Sequence, residues 1–306
     1  MSKGLVTKST GSWYLVLDQG GIIRCRIKGK FRTKDIATTN PVTVGDRVEY
    51  DLMEDGTGII IHIEERKNYI IRRSTRFHKE AHLLAANIDQ ALLMVSLKFP
   101  VSQAEFIDRF LVTAEAYQIE SIILINKIDL LEKEDYKLLS EFKSTYEKAG
   151  YKCLELSVTE NKNIQETYNL MMGKISLLAG NSGVGKTSLI NLIAPKLNLK
   201  TEDISDYHQA GKHTTTFSEI FQLNDNTYII DSPGIKGFGL IDLKKDEIGL
   251  YFPEIFRISK DCKFYNCTHL HEPGCAVIEA VNSEKIGLSR YRSYVSIMTD
   301  EDSKYR

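Results

Sequence analysis

Short segments of alternating apolar and polar residues fill the first 60–70 positions. Trp13–Leu17, Gly21–Ile27, Arg47–Leu52 and Gly58–Glu64 read as strands. Turn signals separate them: Asp18-Gln19-Gly20-Gly21, Val44-Gly45-Asp46 and Asp55-Gly56. Short strands at this spacing predict a small Greek-key β-barrel, with the OB-fold as the leading candidate. Further along, the pattern changes to continuous apolar runs. Ser121–Ile125, Lys152–Leu156, Lys174–Ala179 and Thr227–Ile230 read as buried strands, and Ser188–Ala194 as a helix stopped by Pro195. This predicts an α/β domain after the barrel. Near the end, Glu279–Tyr294 reads as one or two amphipathic surface helices carrying Arg290, Arg292 and Tyr294.

A chain of 306 residues with 42% hydrophobic and 26% charged side chains can bury a core, and is long for one ordinary domain. Its net charge of −1 argues against a general nucleic-acid binder. Dividing the chain changes that picture. We expect three parts, at 1–76, 77–245 and 246–306, with net charges of +5, −4 and −2. In the first, Arg24, Arg26, Lys28, Lys30, Arg32 and Lys34 fall on every second residue. Cys25, Ile27, Gly29, Phe31 and Thr33 lie between them. Along an extended strand this puts the basic groups on one face. The strip reads either as a contact for RNA phosphates or as the solvated outer face of a barrel. Arg66 and Arg72-Arg73-Ser74-Thr75-Arg76 read as a basic exit linker.

Five cysteines cannot all pair in disulfides. Met1–Tyr14 has no apolar signal-peptide core, and Ala91–Val95 and Ile175–Ala179 are too short to span a bilayer. The expectation is a cytoplasmic protein with reduced thiols and no membrane contact.

The sharpest motif is Gly180-Asn181-Ser182-Gly183-Val184-Gly185-Lys186-Thr187, followed by Ser188. It fits the P-loop pattern, between a predicted strand and a predicted helix. Its glycines let backbone N–H groups curl around phosphate oxygens, and the helix N-terminus adds positive potential. Lys186 can reach the β- and γ-phosphates, and Thr187 can ligate Mg2+.

Asn126-Lys127-Ile128-Asp129 follows an apolar strand and resembles the guanine-reading motif of GTPases. A carboxylate at Asp129 accepts from the N1–H and 2-amino groups of guanine, an arrangement adenine lacks. The Lys127 stem can lie over the base, and Asn126 can brace the loop. Ser157-Val158-Thr159 loosely resembles the loop that meets the guanine O6. Asp231-Ser232-Pro233-Gly234 resembles switch II, with Asp231 toward a Mg2+ water and Gly234 toward the γ-phosphate. Gly211–Thr216 resembles switch I, where Thr215, among three consecutive threonines, is taken as a Mg2+ ligand.

The order of these motifs is permuted. The guanine motif and Ser157 precede the P-loop, and both switches follow it. A circular permutation keeps the site intact, because each motif sits on a loop at the carboxyl end of a strand. Where Ras-like proteins carry a water-positioning Gln, this chain has Ile235, which cannot orient a water. His213 is the internal candidate for that task.

Cys262, Cys267, His269 and Cys275 form a C-x4-C-x-H-x5-C cluster, with His271 as an alternative to His269. Three thiolates and an imidazole make a closed structural Zn2+ set. Cys25 and Cys153 read as ordinary buried thiols.

Barrel, permuted GTPase domain and C-terminal zinc-binding helical module together resemble the bacterial ribosome small subunit-dependent GTPase A family. Ala86–Gln90 is similar to that family too. The resemblance implies a GTP hydrolase in which His213 aids hydrolysis and Cys262, Cys267, His269 and Cys275 bind one zinc; the motifs themselves add Mg2+ and a catalytic Lys186, and a monomer is expected. It implies a barrel touching 16S rRNA, action in late maturation of the 30S subunit, stimulation by that subunit and release on hydrolysis. Two other readings are kept. One is a GTP-dependent factor for the 50S subunit. The other is a non-enzymatic RNA-binding module in which GTP is structural.

Overall fold

The computed structural model describes residues 1–27, 41–73, 81–199, 219–224, 226–231 and 243–299. The first five strands are β1 (Ser2–Ser9), β2 (Tyr14–Asp18), β3 (Gly21–Ile27), β4 (Arg47–Leu52) and β5 (Gly58–Ile63). They run in the order β1-β2-β3-β5-β4, and β4 returns to pair with β1. The β3–β5 pair is parallel and the other pairs antiparallel. This closed five-stranded arrangement is the expected OB-type barrel. Its interior is filled by Val6, Tyr14, Val16, Cys25, Val48, Tyr50 and Ile60. Alternation along β3 buries Cys25 and exposes Arg24 and Arg26, as the period of two requires.

A hairpin of β6 (Tyr69–Arg73) and β7 (Ala81–Ala86) leads out of the barrel. Here the expectation of a linker is corrected. Arg72 and Arg73 lie on a paired strand, and Arg66 is nearly buried, bonded through Nε and Nη2 to Asp46 at 2.7 and 2.8 Å. That pair fixes the loop that carries the barrel against the next domain.

The second domain holds β8 (Gln90–Ser96), α1 (Ala104–Ala116), β9 (Glu120–Asn126), α2 (Asp135–Ala149), β10 (Lys152–Glu155), α3 (Ile164–Met171), β11 (Ile175–Ala179), α4 (Lys186–Ile193), β12 (Glu219–Asn224) and β13 (Thr227–Asp231). Its strands run β10-β9-β8-β11-β13-β12, parallel except for the edge strand β12. The central strands are buried along their length, as their continuous apolar sequences require. One apolar layer packs α1 and α2 on the sheet, and a second packs α3 and α4 on its other face. Helix α4 begins two residues before the expected Ser188 and stops before Pro195, whose ring cannot continue a helix.

The last part contains a 3-10 turn at Lys245–Tyr251, α5 (Pro253–Ser259), α6 (Ala276–Asn282) and α7 (Leu288–Thr299). The expectation of a surface helix here is corrected. Arg290 and Tyr294 are buried. Arg290 forms two bonds to Glu254, at 2.7 and 3.1 Å, and one to Asp108 on α1, at 2.7 Å. This buried group clamps the C-terminal module onto the α/β domain. No helix among the described residues is long and apolar enough to cross a membrane.

Candidate functional site

Three loops converge at the carboxyl ends of β11, β9 and β10. The P-loop leaves β11 with Gly180, Gly183 and Gly185 at φ of +144°, +79° and +105°. At two of these glycines a side chain has no room. A Cβ on Gly180 would lie 2.2 Å from the Met94 carbonyl oxygen, and one on Gly185 would lie 2.5 Å from Asn126 Nδ2. Val184 is buried behind the loop, and Asn181 and Ser182 lie along it. Lys186 donates to the carbonyls of Gly180 and Asn181, at 2.7 and 2.9 Å, so its ammonium closes over the loop. Thr187 is buried in the first turn of α4, and Ser188 is exposed beside it.

Asn126 ties the loops together. Its Nδ2 donates to Val184 O at 2.7 Å, and its Oδ1 accepts from Val158 N at 3.2 Å. It is buried, so both bonds are made away from water and are costly to lose. Lys127, at φ +65°, donates from Nζ to Phe99 O at 2.5 Å. Asp129 accepts from the Ser157 hydroxyl at 2.5 Å. Ser157 is itself fully buried, and its Oγ accepts from Glu160 N at 3.0 Å. Beyond opening the loop expected to meet the guanine O6, Ser157 holds through its side chain the carboxylate expected to read guanine.

Asp231 ends β13, with its backbone in register with Leu178 on β11, two residues before Gly180. His213, Thr215 and Gly234 lie outside the described residues, as do Lys28, Lys30, Arg32 and Lys34 of the basic strip. The two strip residues that are described share an unforeseen neighbour. The guanidinium carbons of Arg24 and Arg26 lie 4.0 and 3.8 Å from the ring centre of Trp13. An exposed pair of cations on an aromatic face is held in place by cation–π attraction. A lone Trp shortly before a basic alternation is the sequence signal for it.

In the C-terminal module the ligand atoms of Cys262, Cys267, His269 and Cys275 all lie within 4.8 Å of one another. His269 Nδ1 is 3.5 Å from the sulfurs of both Cys262 and Cys275, and those sulfurs are 3.9 Å apart. A tetrahedral site with Zn–S about 2.3 Å and Zn–N about 2.0 Å has edges of about 3.5–3.8 Å. The four residues fit zinc in chemistry, and the distances among Cys262, His269 and Cys275 fit it in spacing. His271 is exposed and outside the group, which resolves the choice between the two histidines. Burial and neighbouring thiols push Cys267 up to about 12, so a bound divalent cation is what would hold these sulfurs as thiolates. Glu272 fastens the loop, accepting from Thr268 N at 2.7 Å and Leu270 N at 3.1 Å. Cys25 and Cys153, raised by burial to about 11 and 12, are inert thiols.

Comparison with known proteins decides the family. The RsgA GTPase model matches residues 63–241, and the RsgA N-terminal domain model matches residues 3–60. The chain belongs to the RsgA GTPase family.

Among curated RsgA proteins, Small ribosomal subunit biogenesis GTPase RsgA 2 of Bacteroides thetaiotaomicron is 51% identical, with 99% of each chain covered. The Bacteroides fragilis RsgA is 50% identical over the same share. Among solved structures, YjeQ from Thermotoga maritima aligns with a TM-score of 0.79 and 34% identity, covering 97% of each chain. YloQ, described as a circularly permuted GTPase, aligns with a TM-score of 0.76 and 32% identity, covering 100% of this chain and 97% of its own. The permuted motif order read from the sequence agrees with that description of YloQ. The chain is a GTPase, converting GTP and water to GDP and phosphate.

Proposed function

We propose that this GTPase acts in the cytoplasm on the small ribosomal subunit during its late maturation. It binds the 30S particle and its 16S rRNA in the GTP state and leaves when GDP forms. The observation that carries this reading is one molecule joining two things. Three nucleotide loops meet at one sheet edge, and a barrel in the same chain presents Arg24 and Arg26 to solvent. The relatives' names, which specify small ribosomal subunit biogenesis, support the choice of particle.

In this reading the P-loop from Gly180 to Ser188 cradles the phosphates, with Lys186 neutralising charge as the γ-phosphate departs. Asp129, held by Ser157, accepts from guanine, while Lys127 covers the base and Asn126 fixes the loops. Thr187, buried at the start of α4, suits a Mg2+ ligand, together with Thr215; the ion supplies charge neutralisation on the phosphate oxygens when bound. Asp231 and Gly234 complete the γ-phosphate side. His213 takes the water-orienting place that Ile235 cannot fill. Cys262, Cys267, His269 and Cys275 hold one structural zinc. Arg24, Arg26, Lys28, Lys30, Arg32 and Lys34 meet rRNA phosphates. The proposed organisation is a monomer of three parts with limits at 1–76, 77–245 and 246–306.

Co-sedimentation with separated subunits tests the particle. The protein with a non-hydrolysable GTP analogue should pellet with 30S and stay in the supernatant with 50S. The reverse pattern would assign it to the large subunit.

A further inference from the structure

Among the described residues, two unlike contacts fasten the barrel to the GTPase domain. One is firm. Ala86 N donates to Val44 O at 2.9 Å, Asn87 Nδ2 donates to Gly45 O at 2.9 Å, and the Thr43 hydroxyl donates to Leu83 O at 3.1 Å. The contact is backbone against backbone, since a Cβ on Gly45 would lie 2.0 Å from Ala86 O. The other is slender. Strand β1 meets the edge strand β12 with Lys8 opposite Glu219, and Lys8 Nζ lies 2.9 Å from Glu219 Oε2. Both side chains are partly exposed, so the pair is weak and easily remade.

Its position in the sheet is what matters. Glu219 stands directly opposite Asp231 on β13, and Asp231 pairs with Leu178 on β11, at the foot of the P-loop. In the other direction, Lys8 stands opposite Leu15 on β2, and Leu15 stands opposite Arg24 on β3. Arg24, Leu15, Lys8, Glu219 and Asp231 therefore form one line across five neighbouring strands. One end is an arginine of the basic strip. The other is the switch II aspartate.

We infer that Lys8 and Glu219 are a positioning pair that couples the nucleotide state at Asp231 to the orientation of the barrel. The firm contact at 43–46 serves as the fulcrum. The Lys8–Glu219 contact is the point at which a displacement of β12 and β13 reaches β1 and, through it, β3. The inference rests on the reading above, that the barrel meets rRNA and that Asp231 faces the γ-phosphate side.

The test uses the full-length protein and purified 30S subunits. Affinity is measured with a non-hydrolysable GTP analogue and with GDP, and the ratio is the readout. Lys8→Glu should reduce that ratio about five-fold or more while leaving unstimulated GTP hydrolysis and GDP affinity unchanged. Glu219→Lys should reduce the ratio likewise, and the double charge swap Lys8→Glu with Glu219→Lys should restore it. If Lys8 were merely a phosphate contact, Lys8→Glu would weaken both nucleotide states equally and preserve the ratio. A preserved ratio overturns the inference, as does a double swap that remains uncoupled. A wild-type ratio of one would instead overturn the reading of GTP-dependent 30S binding, and the inference with it.

Discussion

The hydroxyl of Ser157 donates to Oδ1 of Asp129 at 2.5 Å, joining the loop after β10 to the loop after β9. One carboxylate oxygen is thereby held, and the other is aimed by the constraint. Ser157→Ala removes the bond and leaves Glu160 N without its acceptor. Hydrogen bonds to charged groups contribute about 1.5–3 kcal/mol. Affinity for GDP should fall about ten-fold, roughly 1.4 kcal/mol, in a titration with fluorescent nucleotide. An unchanged affinity would remove Ser157 from the site.

Asp129→Asn tests base recognition separately. The amide replaces one acceptor with a donor, which mismatches the 2-amino group of guanine and matches the 2-carbonyl of xanthine. Guanine nucleotide affinity should fall by two orders of magnitude or more, and xanthine nucleotides should bind better than to wild type. Calorimetric titration of both nucleotides checks this. Equal loss for both bases would mean that Asp129 supports the loop without reading the base.

Much of this arrangement was legible in the sequence, for physical reasons. Gly180 and Gly185 are irreplaceable because Met94 and Asn126 press on their backbones, so the P-loop spacing survives as a readable string. Strand β3 was legible because one face is buried and the other wet. Strand β1 was not. Its Ser2–Ser9 sequence pairs with β2, β4 and β12 and follows no simple alternation, with a register shift between Val6 and Lys8. Arg290 was illegible for a similar reason. A basic residue on an amphipathic helix reads as a solvated one, and the carboxylates that bury it lie 36 and 182 residues away.

That buried cluster carries its own prediction. Arg290→Met leaves Asp108 and Glu254 without their shared cation and should cost about 3–5 kcal/mol, read by chemical denaturation. Asp108→Asn should cost far less, because Arg290 keeps both bonds to Glu254. The pH dependence has a definite sign. Burial raises the Asp108 carboxyl above its ordinary value, against the opposing pull of Arg290. The folded chain then holds a proton that the unfolded chain has lost, so this site's contribution falls as pH rises from the ordinary aspartate range toward the raised value. Asp108→Asn cannot ionise, and its stability should lack that decline when compared with wild type across the same pH series.

Metal analysis of the purified protein should give about one zinc per chain. Cys275→Ser should give well under one, because Cys275 belongs to the proposed zinc set and also caps α6 by accepting from Ile278 N at 3.5 Å. Chelation should loosen the C-terminal module, seen as faster amide exchange in α6. Full retention of order after complete zinc removal would deny the metal a structural role.

In the proposed function, the nucleotide site answers to the small ribosomal subunit. The most direct test is steady-state GTP hydrolysis by the intact protein, alone and with equal concentrations of purified 30S or 50S subunits. Turnover should be slow alone, strongly stimulated by 30S and not by 50S, with Lys186→Ala silent throughout. No stimulation by 30S, or equal stimulation by both subunits, would contradict that function.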